Sequence, residues 1–146
     1  MDFLTCTVVI GAGATAVMDL WTVLRARLLG GRLPDYALVG RWIAYMAHGR
    51  FRHDAIAASP PVPNERVIGW TAHYLIGTAF AGILLTIWGV EWARQPTLGP
   101  ALIVGLVSVA APFLIGTARV QSLLTHTVFG AGLYAAAWLL AAVADA

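Results

Sequence analysis

Four apolar stretches, each long enough to cross a bilayer, take up most of the chain. They run over residues 3–24, 67–90, 98–115 and 122–143, and a spanning helix needs roughly 20 residues. Asp19 is the one charge inside the first stretch. Pro100 and Pro112 break the third near its two ends. Composition agrees: 60% of the residues are hydrophobic and 11% are charged, against about 25% charged in an ordinary soluble domain. A chain so poor in charge cannot cover itself with a polar surface. The expected class is all-α: a four-transmembrane-helix bundle forming one integral membrane domain over 1–146. The first stretch lacks the basic leader and short apolar core of a cleavable signal, so it is expected to be a retained span. Cys6 stands alone, which excludes an intrachain disulfide and leaves it as a small apolar residue near a helix end.

The arginines orient the spans. Every basic side chain in the sequence is arginine. Arg25, Arg27, Arg32, Arg41, Arg50, Arg52 and Arg66 lie between the first two spans, Arg119 between the last two, and only Arg94 between the second and third. By the positive-inside rule the first and third connections are cytoplasmic, and both termini face the other side. With no soluble face to carry a basic patch, a net charge of +2 does not point to nucleic acid.

The stretch TVVIGAGATA, residues 7–16, has the G-x-G-x-x-A spacing of a dinucleotide-binding turn. That fold needs a second strand ending in an acidic residue about 20 positions later. Here Val17-Met18-Asp19-Leu20-Trp21 and then arginines follow, so no dinucleotide is expected. Inside a membrane helix, Gly11 and Gly13 instead let another helix backbone approach closely. Gly77 with Ala81, and Gly132 with Ala136, have the same small-x-x-x-small character.

Residues 25–66 form more than a linker. Leu38, Val39, Trp42, Ile43 and Met46 recur at helical spacing, with Arg41, Tyr45 and His48 on another face. The pattern predicts a short amphipathic interfacial helix. The run HGRFRHD, residues 48–54, and the proline-rich SPPVPNE, residues 59–65, follow it. Arginines beside a membrane attract anionic headgroups, so Arg41, His48, Arg50, Arg52 and His53 are candidate contacts for anionic lipid or another anionic ligand. Trp21, Trp42, Trp70, Trp88 and Trp92 fall near span boundaries, where tryptophan anchors the interface.

Three polar residues fall at one depth. Asp19, His73 and His126 each lie a few residues inside the cytoplasmic end of a span, roughly 6–9 Å in at the helical rise. Pro112 reaches the same level and removes the amide partner of the Ser108 carbonyl. One carboxylate and two imidazoles suit a divalent metal, two histidines suit a haem iron, and Asp19 with His73 suits proton relay. Tyr74, Glu65 and Ser122 are the candidate supporting groups. The simpler reading is structural: such residues hydrogen-bond neighbouring helices. No HxxxH, HExxH or CxxC spacing is present, and nothing marks Ser122 as a nucleophile.

GATAVMDLW (13–21), DYALVGRW (35–42), HGRFRHDAIAASPPVPNE (48–65), GWTAHYLIG (69–77), RQPTLGPALIVGLVSVAAPF (94–113) and SLLTHTVFGAGLY (122–134) together resemble a bacterial family of small membrane proteins, domain of unknown function 2938. The resemblance covers almost the whole chain in order. It implies a four-helix protein of the bacterial inner membrane and supplies no activity, cofactor or catalytic residue. Where that family has a longer connection between the third and fourth spans, this chain passes from Pro112-Phe113-Leu114-Ile115 almost directly to Gly116-Thr117-Ala118-Arg119.

Two functions fit these features. One is an accessory or interaction subunit that packs with itself, as a homo-oligomer, or with a larger membrane complex. The other is a membrane-embedded metal, haem or proton site of an enzyme or transporter component.

Overall fold

Asp2 starts the first helix. Its carboxylate accepts from the Thr5 amide at 2.9 Å and the Thr5 hydroxyl at 2.7 Å, satisfying donors that a helix start leaves open. Those bonds, the amide's first, hold the Asp2 carboxyl below its ordinary value. The cap is therefore in force at neutral pH and weakens only as pH falls through that lowered value. In the computed structural model, which describes residues 1–30, 33–110 and 120–144, α1 runs over Phe3–Leu29. It stops at Gly30, whose φ of 68° is one that residues with a side chain rarely adopt. Arg25 and Arg27 thus continue the helix past the expected end at residue 24, because nothing before Gly30 interrupts it.

Asp35 caps α2, Tyr36–Met46, through the Ala37 amide at 3.1 Å. A 3₁₀ turn at Ile56–Ala58 and the prolines follow, then α3, Glu65–Trp88. A second 3₁₀ turn, Val90–Ala93, leads to α4, Leu98–Val107, and the last described helix, α5, is Val120–Ala144. All the regular structure among the described residues is helical. Three helices, α1, α3 and α5, are long and apolar enough to cross a membrane. A fourth is not clearly shown among the described residues: α4 has 10 residues, about 15 Å of helix against a hydrocarbon core of about 30 Å. Pro112 and the rest of the third apolar stretch lie outside the described residues.

Two units divide the chain: Met1–Gly31 with Gly77–Ala146, and Arg32–Ile76. The core of the first joins Cys6, Ile10 and Ala14 of α1, Leu84 and Leu85 of α3, Val104 of α4, and Phe129, Leu133 and Ala137 of α5. Small residues set the spacing. A Cβ on Gly11 would collide with the Thr78 backbone, and one on Gly77 with the Thr15 side chain. A Cβ on Gly132 would lie 3.0 Å from the Ala14 Cα, and one on Gly13 3.0 Å from the Ala136 Cβ. Ala81 is fully buried. A further crossing, not anticipated from sequence, joins α4 to α5: a Cβ on Gly105 would lie 2.6 Å from the Gly130 Cα.

Thr15, Thr22, Thr86 and Thr127 each donate their hydroxyl to the carbonyl four residues back. They need no water, as a lipid setting demands. Leu4, Leu20 and Leu139 are 72%, 69% and 58% exposed, an apolar exterior suited to lipid. Trp92 departs from the anchoring role expected of it. It is 6% exposed, within the core, and donates its indole N–H to Thr97 at 3.2 Å.

The second unit is built on α2 lying against the first turns of α3. Gly40 and Gly69 permit the approach: a Cβ on the former would strike the Glu65 carbonyl, and on the latter the Tyr36 carbonyl.

Candidate functional site

Arg41 organises the Arg32–Ile76 unit. Its Nε and Nη2 donate to the two carboxylate oxygens of Glu65, both at 2.8 Å. Its Nη1 donates to the carbonyls of Ser59 at 2.8 Å and Ala57 at 3.4 Å. The planar fork of arginine allows this paired recognition. Glu65 also accepts from the Val62 amide at 3.0 Å, so one carboxylate closes both the guanidinium and the turn before α3. Arg41, a candidate anionic contact by sequence, is buried and gives these donors to Glu65, Ser59 and Ala57. Glu65, expected as a supporting group for Asp19, His73 and His126, serves this brace.

The same unit holds the connection at three more points. Tyr45 donates its hydroxyl to the Pro60 carbonyl at 3.1 Å, and Trp42 its indole N–H to the Phe51 carbonyl at 3.1 Å. The His53 ring packs on Tyr45 with centroids 5.0 Å apart, and its Nδ1 meets the Ser59 hydroxyl at 3.2 Å. The His53 Nε2 is buried with no hydrogen-bond partner among the described residues. His53, a candidate anionic contact by sequence, therefore packs within the unit.

His73 sits in an aromatic group. Its Nε2 shares a hydrogen bond with the Tyr36 hydroxyl at 3.1 Å, and the two rings stack at 4.2 Å. Trp70 lies 4.6 Å from Tyr36, and Tyr74 5.5 Å from His73, centroid to centroid. These residues fasten α2 to α3.

His48, Arg50, Arg52 and Arg66 remain exposed. His48 donates from Nδ1 to the Ala44 carbonyl at 2.9 Å, since a carbonyl only accepts. Arg50 places its guanidinium carbon 5.1 Å from the Tyr45 ring centroid, a cation–π distance.

In the other unit, His126 of α5 is paired with Ser108 at the end of α4. The Ser108 hydroxyl donates to the Gly105 carbonyl at 2.6 Å and meets His126 Nδ1 at 2.6 Å. Its single proton goes to the carbonyl, so the imidazole N–H donates to Ser108. Ser108 is buried at 2% exposure. Its hydroxyl role was not anticipated; only its carbonyl had been considered, through Pro112. Asp19 on α1 and Ser122 on α5 are half-buried. Among the described residues, no group of three or more His, Cys, Asp or Glu is placed to hold a metal ion.

No curated protein and no solved structure gives a significant match to the chain. The sequence model of one family, described as a protein of unknown function (DUF2938), matches residues 8–117. That range takes in most of α1, the whole braced connection, α3 and α4, and the chain therefore belongs to the DUF2938 family.

Proposed function

We propose that this chain is a multi-pass protein of the bacterial inner membrane that works by docking, as an accessory or interaction subunit of a larger membrane complex. Its apolar helices anchor it. The arginine distribution puts the first connection on the cytoplasmic side, and α2 lies at the membrane surface with its apolar face inward. The contact is made by the Arg32–Ile76 unit.

One observation carries this reading: the arginines of that unit have divided roles. Arg41 is buried and braces the connection, while Arg50, Arg52 and Arg66 stand exposed. A segment that only joined two spans would need no such brace. The small residues offered by sequence for self-association are engaged by the chain's own helices, so docking is assigned to the connection rather than to a helix face. A metal, haem or proton site is the alternative. His73 and His126 are each held by a hydroxyl, from Tyr36 and Ser108, in separate units, and no observation favours that alternative over docking.

A photo-crosslinking residue in place of Phe51, which is 60% exposed, tests this in the full chain in its native membrane. The expected result is a protein adduct of one reproducible mass. The same probe at Leu139, on the apolar exterior, should give lipid adducts alone. Lipid adducts alone at position 51 would overturn the proposal.

A further inference from the structure

Two buried donors one turn apart on α1 have no hydrogen-bond partner among the described residues: the Trp21 indole N–H and the Arg25 Nε. A buried donor left open is costly and needs an acceptor. Here two are open side by side, at the i, i+4 spacing that makes helix residues neighbours. Arg25 also enters no ion pair among the described residues. Arg41 makes the contrast. It commits the Nε edge of its guanidinium to both oxygens of Glu65, whereas the Nε of Arg25 is unused.

The rest of the helix says what reaches this turn. Val17, Leu20, Leu24 and Leu28 form one exposed apolar stripe of α1, while Met18 and Thr22 are buried on another face. At helical spacing Trp21 and Arg25 fall between the two faces, and both are half-buried. Asp19, the acidic residue of this helix, is two positions from Trp21 and six from Arg25, off their face at the same spacing. The depth is also definite. A helix entering the hydrocarbon at Phe3 crosses a core of about 30 Å in roughly 20 residues. Trp21 then lies just inside the far boundary and Arg25 just outside it, at the level of the lipid phosphates.

We infer that the Trp21–Arg25 turn binds the phosphate of one phospholipid, whose acyl chains lie along Leu24, Leu20 and Val17. Both open groups are donors, so the ligand is an acceptor, and the guanidinium selects an anionic one. The apolar stripe beside them suits chains and offers nothing to a hydrated ion. The site lies on a different unit from the docking connection. Either leaflet supplies a phosphate, so the inference needs α1 to cross the bilayer and rests on neither the docking role nor the orientation.

The test uses the full chain in neutral detergent, with dioctanoyl phosphatidylglycerol, dioctanoylglycerol and inorganic phosphate as separate probes. Binding is followed by native mass spectrometry, and the thermal midpoint reports whether each variant is folded. Phosphatidylglycerol should bind, and dioctanoylglycerol, which has the same chains without the phosphate, should bind more weakly. Arg25→Gln should weaken phosphatidylglycerol about fivefold, the share of one juxtamembrane arginine. Trp21→Phe keeps a ring in place and removes the N–H. It should weaken the lipid too, and it keeps the test readable should Arg25→Gln fail to fold. Arg27→Gln, which removes an exposed arginine of the same helix, should change nothing. Equal binding of lipid and diacylglycerol, an equal loss in Arg27→Gln, or unchanged binding in Trp21→Phe would each overturn the inference. Displacement of the lipid by equimolar inorganic phosphate would show an anion site with no part for the chains, and would overturn it as well.

Discussion

Arg41 shows how little periodicity says about what a single side chain meets. The spacing of α2 puts Arg41, Tyr45 and His48 on one polar face, and that face was correctly separated from Leu38, Val39, Trp42, Ile43 and Met46. What covers it comes from residues 57–65, a contact between segments that no local pattern encodes. The surroundings of His53 and Trp92 were not legible for the same reason: a ring near a boundary looks the same whether it meets solvent, lipid or another side chain. The Arg41 brace gives a clean prediction. Arg41→Ala and Glu65→Gln should each loosen the connection, so limited proteolysis of the purified protein should cut within residues 47–64 faster than in the parent. Arg41→Lys should restore only part of the protection, because an ammonium keeps the charge but not the fork. Unchanged cleavage in Arg41→Ala would remove the brace from the account.

At the level of elements, the helices were readable because long apolar runs without interior breakers have few alternatives in lipid. The amphipathic helix was readable from its spacing and forms at Tyr36–Met46. The small residues Gly11, Gly13, Gly77, Ala81, Gly132 and Ala136 were read as packing positions, and a Cβ on any of the four glycines would meet a neighbouring helix, but sequence gives no partner for them. Gly40 with Gly69, and Gly105 with Gly130, went unnoticed because each pair joins two helices and neither repeats within one. Their importance is testable. Gly69→Ala puts a methyl into the Tyr36 carbonyl, an overpacking that costs about 1–3 kcal/mol and should lower the thermal midpoint in detergent. Gly99→Ala, on α4 with open space around it, should leave the midpoint unchanged or slightly raised. Equal effects at the two positions would mean that α2 does not rest on α3 as described.

For the whole molecule, the membrane class followed from composition alone, while the number of crossings did not. A stretch of suitable hydropathy at residues 98–115 suggested a fourth span, yet the described helix there ends at Val107. The arginine distribution still predicts an orientation. Reporter fusions at Ala146 should report the non-cytoplasmic side, and fusions within residues 47–58 the cytoplasmic side. A cytoplasmic signal at Ala146 would reverse the topology and take the docking proposal with it. One feature of the connection then bears on how the chain sits in its bilayer. Glu65 is at once the first residue of α3 and the acceptor for Arg41 and the Val62 amide. A helix that crosses lipid ordinarily finds its depth by matching its apolar length to the hydrocarbon, and slides or tilts as thickness changes. Here any such slide would drag the proline segment and α2 along with it. The brace thus acts as a fixed datum, so that a change in bilayer thickness is felt by the proline segment and α2 rather than absorbed silently within the span.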